Sequence, residues 1–181
     1  VKLGVRCIQL AAYDVYYEES DDETKQLFEE GLRGAVAMAA RAGVILALEI
    51  MDTKFVGPIV RALHYLYEIP SPYFKIYPDM GNLSNFSNDV TGEFELGISE
   101  IVAIHVKETK PGKFKEVPFG TGAVHFTEIF RKLKELDYHG MFLIEMWADN
   151  SAYQSVDEAS QKIAEAYQFV TGKMKEAGME V

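Results

Sequence analysis

Two glutamates, one aspartate and one histidine each stand at the C-terminal end of a separate apolar, strand-like run. The runs are VILALEIMD with Glu49, YFKIYPDMGN with Asp79, IVAIHVKET with His105 and MFLIEMW with Glu145. Brought together, these side chains offer carboxylate oxygens and one ring nitrogen. That donor set suits a divalent cation such as Mn²⁺, Mg²⁺ or Zn²⁺. Taken singly, three of the four have plain explanations. Glu49 reads as a solvated charge where a strand surfaces, Asp79 as a turn former, and His105 as a hydrogen-bonded core residue. Glu145 differs, because it sits inside Met141–Trp147 with apolar residues on both sides. An ionised carboxylate seldom enters such a run unless it is paired or binds a metal. Four successive units with a ligand-type residue at one relative position make independent accident a poor account.

The stretches between the runs are each long enough for one helix, so the chain reads as α/β with parallel strands. The expected strands are roughly Leu3–Ala11, Val44–Ile50, Phe74–Tyr77, Ile101–Val106 and Met141–Met146. An acidic start (Glu18, Glu19, Asp21, Asp22, Glu23) opens a first helix that stops at Gly43. Further helices are expected around Pro58–Tyr67, Phe126–Leu136 and Val156–Glu176. The Asn- and Ser-rich stretch Asp79–Val90 reads as a loop, followed by a short amphipathic segment. Lys107–Ala123 reads as a long, functional loop. A β/α barrel gathers the C-terminal ends of its strands around one mouth, where its chemistry sits. Five strands fall short of eight, so a doubly wound open sheet is an alternative; no G-x-G-x-x-G follows any strand, which weakens its dinucleotide-binding form.

Composition narrows the function. The 181 residues carry a formal net charge of −10, which disfavours nucleic acid and anionic membranes as partners. A phosphorylated small molecule needs only a few local donors and remains compatible. The single cysteine, Cys7, forms no internal disulfide and points to a reducing cytoplasm. No apolar run is long enough to span a membrane. The strand-like run begins at once, which reads as the back part of a longer protein.

Other candidates are weaker. Gly120-Thr121-Gly122 offers backbone N–H groups to an anion, or is a plain turn. Lys107, Lys113 and Lys115 offer phosphate contacts, with solvated surface positions the plainer reading of Lys113 and Lys115. Tyr13, Tyr16 and Tyr17 line a pocket or pack the rim. His125 approaches the mouth or starts a helix; His64 and His139 read as surface residues.

The combination IQLAAYDVYYEE, ALEIMD, YPDMGN, AIHVKET, VPFGTG and FLIEMW resembles the sugar-phosphate 3-epimerases of the xylose-isomerase-like TIM barrels over essentially the whole chain. The resemblance implies a partial (β/α)8 barrel, strands four to eight of one domain over 1–181 that lacks its N-terminal third. It implies a divalent metal ion on Glu49, Asp79, His105 and Glu145, with Glu49 and Glu145 as the catalytic acid/base pair. The implied reaction interconverts L-ribulose 5-phosphate and L-xylulose 5-phosphate, in pentose-phosphate metabolism and L-ascorbate degradation. Lys107, Gly120, Thr121, Asn82 and Trp147 are the candidate substrate contacts. The implied partner is a sugar phosphate, in a homo-oligomer. Thr121 and His125 depart from the family pattern, which places acidic residues there. A related aldose–ketose isomerase or an inosose dehydratase would show the same quartet. A DNA-repair endonuclease of this superfamily would need more histidines than the four present. A different alternative is an inactive truncated chain whose open strand edges pair with another chain.

Overall fold

A computed structural model describes residues 1–148, 153 and 155–180. The chain alternates strands and helices in the order β1 (Cys7–Ala11), α1 (Asp22–Ala42), β2 (Ile45–Glu49), α2 (Ile59–Glu68), β3 (Phe74–Tyr77), α3 (Met80–Phe86), α4 (Val90–Gly97), β4 (Ala103–Val106), α5 (Phe126–Glu135), β5 (Met141–Ile144) and α6 (Val156–Glu176). The helix ends follow local chemistry. Asp21 and Thr24 form a reciprocal capping box at the start of α1, which ends on Gly43 in the left-handed conformation at φ 65°. The Asp89 and Ser155 side chains cap α4 and α6.

All strand pairs are parallel. β1 pairs with β2 and β2 with β3, aligning Ala11 with Glu49 and Glu49 with Tyr77. β4 pairs with β5, aligning His105 with Leu143. The expected five strands therefore form a three-stranded and a two-stranded ladder rather than one continuous sheet. The physical reason lies at Pro78, which has no N–H to continue a ladder from β3. Its carbonyl still accepts from His105 N at 2.9 Å, and Ile76 O accepts from Val102 N at 3.1 Å. Isolated bridges pair Ile76 with Ile101 and Asp79 with His105, so the five strands follow chain order side by side.

β2 and β4 are buried almost throughout, as expected of parallel strands covered on both faces. Leu48, Ile50, Phe74, Ile76, Leu83, Phe94, Ile104, Ile129, Phe130 and Leu133 form the centre of the core. The outer strands are less covered: Ile8 in β1 and Leu143 in β5 are about half exposed, at 49% and 53%. Among the described residues, no strand pairs with the outer edge of either.

Two expectations need correction. The first strand starts at Cys7 rather than Leu3, because pairing begins only where Ile45 N donates to Arg6 O. The stretch after Asp79 is not a loop but opens as helix α3. Asp79 is its N-cap, accepting from Asn82 N at 2.7 Å. Asn and Ser are poor helix formers, and burial against the end of β4 overrides that propensity. Gly81 permits the approach: a Cβ there would lie 2.6 Å from Thr109 Cγ2 and 2.7 Å from Lys107 O.

Candidate metal centre

Glu49 is the last residue of β2, Asp79 lies two residues beyond β3, His105 lies in β4 and Glu145 follows β5 directly. Parallel pairing brings these strand ends to one side, and the four side chains meet there. One ligand atom from each lies within 4.8 Å of every other. His105 Nδ1 stands 2.8 Å from Glu49 Oε1 and 2.9 Å from Glu145 Oε2. Asp79 and Asn82 are fully buried, Glu49 and His105 nearly so, and Glu145 more open.

Neighbours fix the orientation of each group. Gln9 from β1 donates to Glu49 Oε2. Trp147 Nε1 donates to Glu145 Oε1. The Tyr77 ring packs on the imidazole, with centroids 4.6 Å apart. Lys107 Nζ stands 3.1 Å from Asp79 Oδ2 and 3.2 Å from Glu145 Oε1. Among the described residues, no hydrogen bond of good geometry reaches the buried Asp79 Oδ2.

Burial raises the Asp79 carboxyl above its ordinary range, and the Lys107 ammonium acts against that. Burial also works to raise Glu145, but donors from His105, Lys107 and Trp147 outweigh it and hold the carboxyl low. Burial disfavours the His105 cation, yet the hydrogen bonds and charges of Glu145 and Glu49 push it up to about 9. Lys107 is raised by Asp79 and Glu145 against its own burial.

A divalent cation fits this donor set. Bonds of ~2.1 Å in six-coordination set neighbouring ligand atoms about 3 Å apart. The contacts of His105 Nδ1 with the two glutamates are close to that spacing. The buried Asp79 Oδ2, which faces the Lys107 ammonium, supplies a further ligand atom already desolvated. Glu49, Asp79, His105 and Glu145 are the residues that would hold the ion.

The other sequence candidates fall in different places. Lys107 is buried inside the centre rather than facing a phosphate in solvent. Asn82 is also buried: its side-chain amide donates to Ile50 O, and its Oδ1 has no partner among the described residues. Trp147 is half exposed beside Glu145. Gly120 adopts φ 80°, and Thr121 is exposed with its hydroxyl on Pro118 O. The Gly-rich stretch is turned toward Glu108, a residue that sequence reasoning passed over. The buried Glu108 carboxylate accepts from Thr109 N, Gly120 N and Val124 N at 3.2, 3.0 and 3.2 Å. Next to Glu145 and Trp147 opens a cavity of about 520 Å³, walled by Phe114, Val117, Pro118, Phe119 and Phe169 and floored in part by Lys107.

Parallel β/α units with a carboxylate–histidine cluster at the strand C-terminal ends define part of a TIM barrel with a metal-type centre at its mouth. The chain belongs to the xylose isomerase-like TIM barrel family, whose model matches residues 1–171. It is 48% identical over 177 residues to the L-ribulose-5-phosphate 3-epimerase UlaE of Escherichia coli (strain K12 / DH10B). The UlaE protein of Escherichia fergusonii matches at the same identity. In both cases the match covers 98% of this chain and 61% of the relative, so the chain spans less than two thirds of their length. Among solved structures, an L-ribulose 3-epimerase matches with a TM-score of 0.74 at 18% identity, covering 97% of this chain and 63% of that one. The D-psicose 3-epimerase of Clostridium cellulolyticum H10, solved with D-tagatose, gives 0.77 at 18% identity, with 96% and 66% covered. At that identity the likeness is one of fold.

Proposed function

We propose that the chain carries the catalytic centre of a metal-dependent ketose 3-epimerase acting on L-ribulose 5-phosphate and L-xylulose 5-phosphate. The observation that supports this most is the convergence of Glu49, Asp79, His105 and Glu145 in a relative of UlaE. Epimerisation at C3 removes the proton next to the C2 carbonyl and returns one to the opposite face. A divalent ion on the four ligands would supply Lewis-acid stabilisation of the charge that develops on the sugar oxygens.

The chain's own residues supply the proton transfers. Glu49 and Glu145 serve as the two groups that take and return a proton. One removes it from C3; the other delivers a proton to the other face, which inverts the centre. Gln9 holds Glu49, while Trp147 and Lys107 hold Glu145, so neither carboxylate must be ordered during the reaction. The Lys107 ammonium favours the charged forms of Asp79 and Glu145 and acts against their burial. Trp147 and the apolar part of the cavity wall flank Glu145 on one side. The test is conversion of L-ribulose 5-phosphate to L-xylulose 5-phosphate by the metal-loaded chain. Glu49→Gln and Glu145→Gln should each abolish it while metal binding persists; turnover unchanged in either variant would refute the two-carboxylate scheme.

A further inference from the structure

A second polar network at the mouth takes no part in the metal centre. The Tyr13 and Tyr17 hydroxyls donate to the two oxygens of Asp52, at 2.5 and 2.7 Å. Lys115 Nζ donates to the Tyr17 hydroxyl at 2.9 Å and stands 4.0 Å from Asp52 Oδ2. The same ammonium lies 5.2 Å from the Tyr17 ring centre and 4.5 Å from that of Trp147. Trp147 in turn donates to Glu145. One lysine on the β4–α5 loop thus touches segments that follow β1, β2 and β5, and stops one indole short of the metal centre. Its side chain is 37% exposed, so the ammonium is reachable from solvent.

The charge balance gives this lysine a task. Glu49, Asp79, Glu145 and Asp52 make the mouth acidic, on a chain of net charge −10. The other ammonium in these contacts, Lys107, is buried and committed to Asp79 and Glu145. A neutral sugar needs no cation there, whereas a phosphate dianion does. The reach also fits. The Trp147 ring centre and its Nε1 lie roughly 2 Å apart, so Lys115 Nζ is at most about 9 Å from the Glu145 carboxylate through the indole. From C3 of a ketopentose 5-phosphate to phosphorus, four bonds span roughly 5 Å. The outer phosphate oxygen and a charge-assisted hydrogen bond of ~2.8 Å bring the reach from C3 near 9 Å, inside the bound of about 12 Å left once C3 stands ~3 Å from the carboxylate that takes its proton.

We propose that Lys115 is the phosphate-binding residue of this site, leaving the Tyr17 hydroxyl and the Trp147 face to take the phosphate of a ketose phosphate. The assignment rests on the sugar-phosphate reading above and names its specificity-determining cation. Cation–π contacts of this kind are worth only ~0.5–1 kcal/mol when exposed, so a dianion displaces them readily.

Trp147 is the single tryptophan of the chain, and its emission reports removal of the ammonium from its face. The experiment titrates the full chain, with Mg²⁺ present throughout, with L-ribulose 5-phosphate and separately with L-ribulose. Wild type should bind the phosphorylated sugar more tightly. Lys115→Met should weaken binding of the 5-phosphate about 10–100-fold and leave the free sugar unchanged. Lys115→Arg should recover most of the loss, and Lys113→Met, removing a charge from the same loop, should leave affinity intact. Lys115→Met binding the 5-phosphate as tightly as wild type would overturn the assignment. So would wild type that binds both sugars alike, or neither. Tight, Lys115-dependent binding without proton exchange at C3 would refute the epimerase reading and leave the phosphate assignment standing.

Discussion

Lys107→Met separates the electrostatic account of the centre from a packing account. The Lys107 ammonium is 7% exposed and faces Asp79 and Glu145 at 3.1 and 3.2 Å. At an effective dielectric of ~20, each such contact is worth about 5 kcal/mol of Coulomb attraction before desolvation is charged against it. Removing one partner of a buried pair typically costs ~3–5 kcal/mol net, because the remaining charge is stranded. At ~2–4 °C per kcal/mol for a chain of this size, the variant should melt roughly 10 °C lower in EDTA. A divalent ion held by Glu49, Asp79, His105 and Glu145 would compensate the same oxygens. At a concentration about 100 times its dissociation constant it stabilises the folded state by ~2.7 kcal/mol. It should do more for the variant than for wild type, since it no longer competes with an ammonium for Asp79 and Glu145. The assay is unfolding followed by circular dichroism, with EDTA and with saturating Mn²⁺, for both proteins. The deficit should be large in EDTA and shrink to below about 1 kcal/mol with metal. Equal stabilisation of both proteins by the metal, or no deficit in EDTA, would refute the reasoning.

Three further variants probe the scaffold. Gly81→Ala places a Cβ 2.6–2.7 Å from Thr109 Cγ2 and Lys107 O; it should cost ~1–3 kcal/mol in urea unfolding and weaken Mn²⁺ binding measured by calorimetry. Phe130→Ala empties a fully buried site whose ring faces Phe142 at 5.5 Å; a loss of ~3–5 kcal/mol is expected in the same unfolding assay. Glu108→Gln removes a charged acceptor shared by three backbone N–H groups; amide exchange at Gly120 and Val124 should quicken by about tenfold or more, read by NMR or mass spectrometry.

The strand and helix alternation was legible because each buried run was nearly continuous and each helix carried its own start and stop signals. The span of α6, Val156–Glu176, matches the expectation residue for residue, and that of β3 does too. Helix α3 escaped because its sequence, MGNLSNF, looks like a loop, and only tertiary contacts make it helical. Its one local signal was Asp79 in an N-cap position, which served equally as a turn former. The split between β3 and β4 depends on one missing N–H at Pro78, whose effect appears only once the partner strand is known. The convergence of Glu49, Asp79, His105 and Glu145 was readable from their position relative to strand ends. The fates of Lys107 and Glu108 were not. They are consecutive and both buried, yet one turns to the carboxylates of the centre and the other to the Gly-rich loop. Both lie just beyond β4, so no strand period assigns their sides, and which residue carries which task follows only from the assembled neighbours.

The central claim is metal-dependent proton transfer at C3 by paired carboxylates. It is tested most directly by NMR of L-ribulose 5-phosphate in D₂O, following exchange of the C3 proton with Mn²⁺, Mg²⁺ or Zn²⁺ added in turn. The account predicts exchange that requires a divalent ion, stops on chelation, and is lost in Glu145→Gln while the ion stays bound. Exchange that survives chelation, or that proceeds undiminished in that variant, would contradict it.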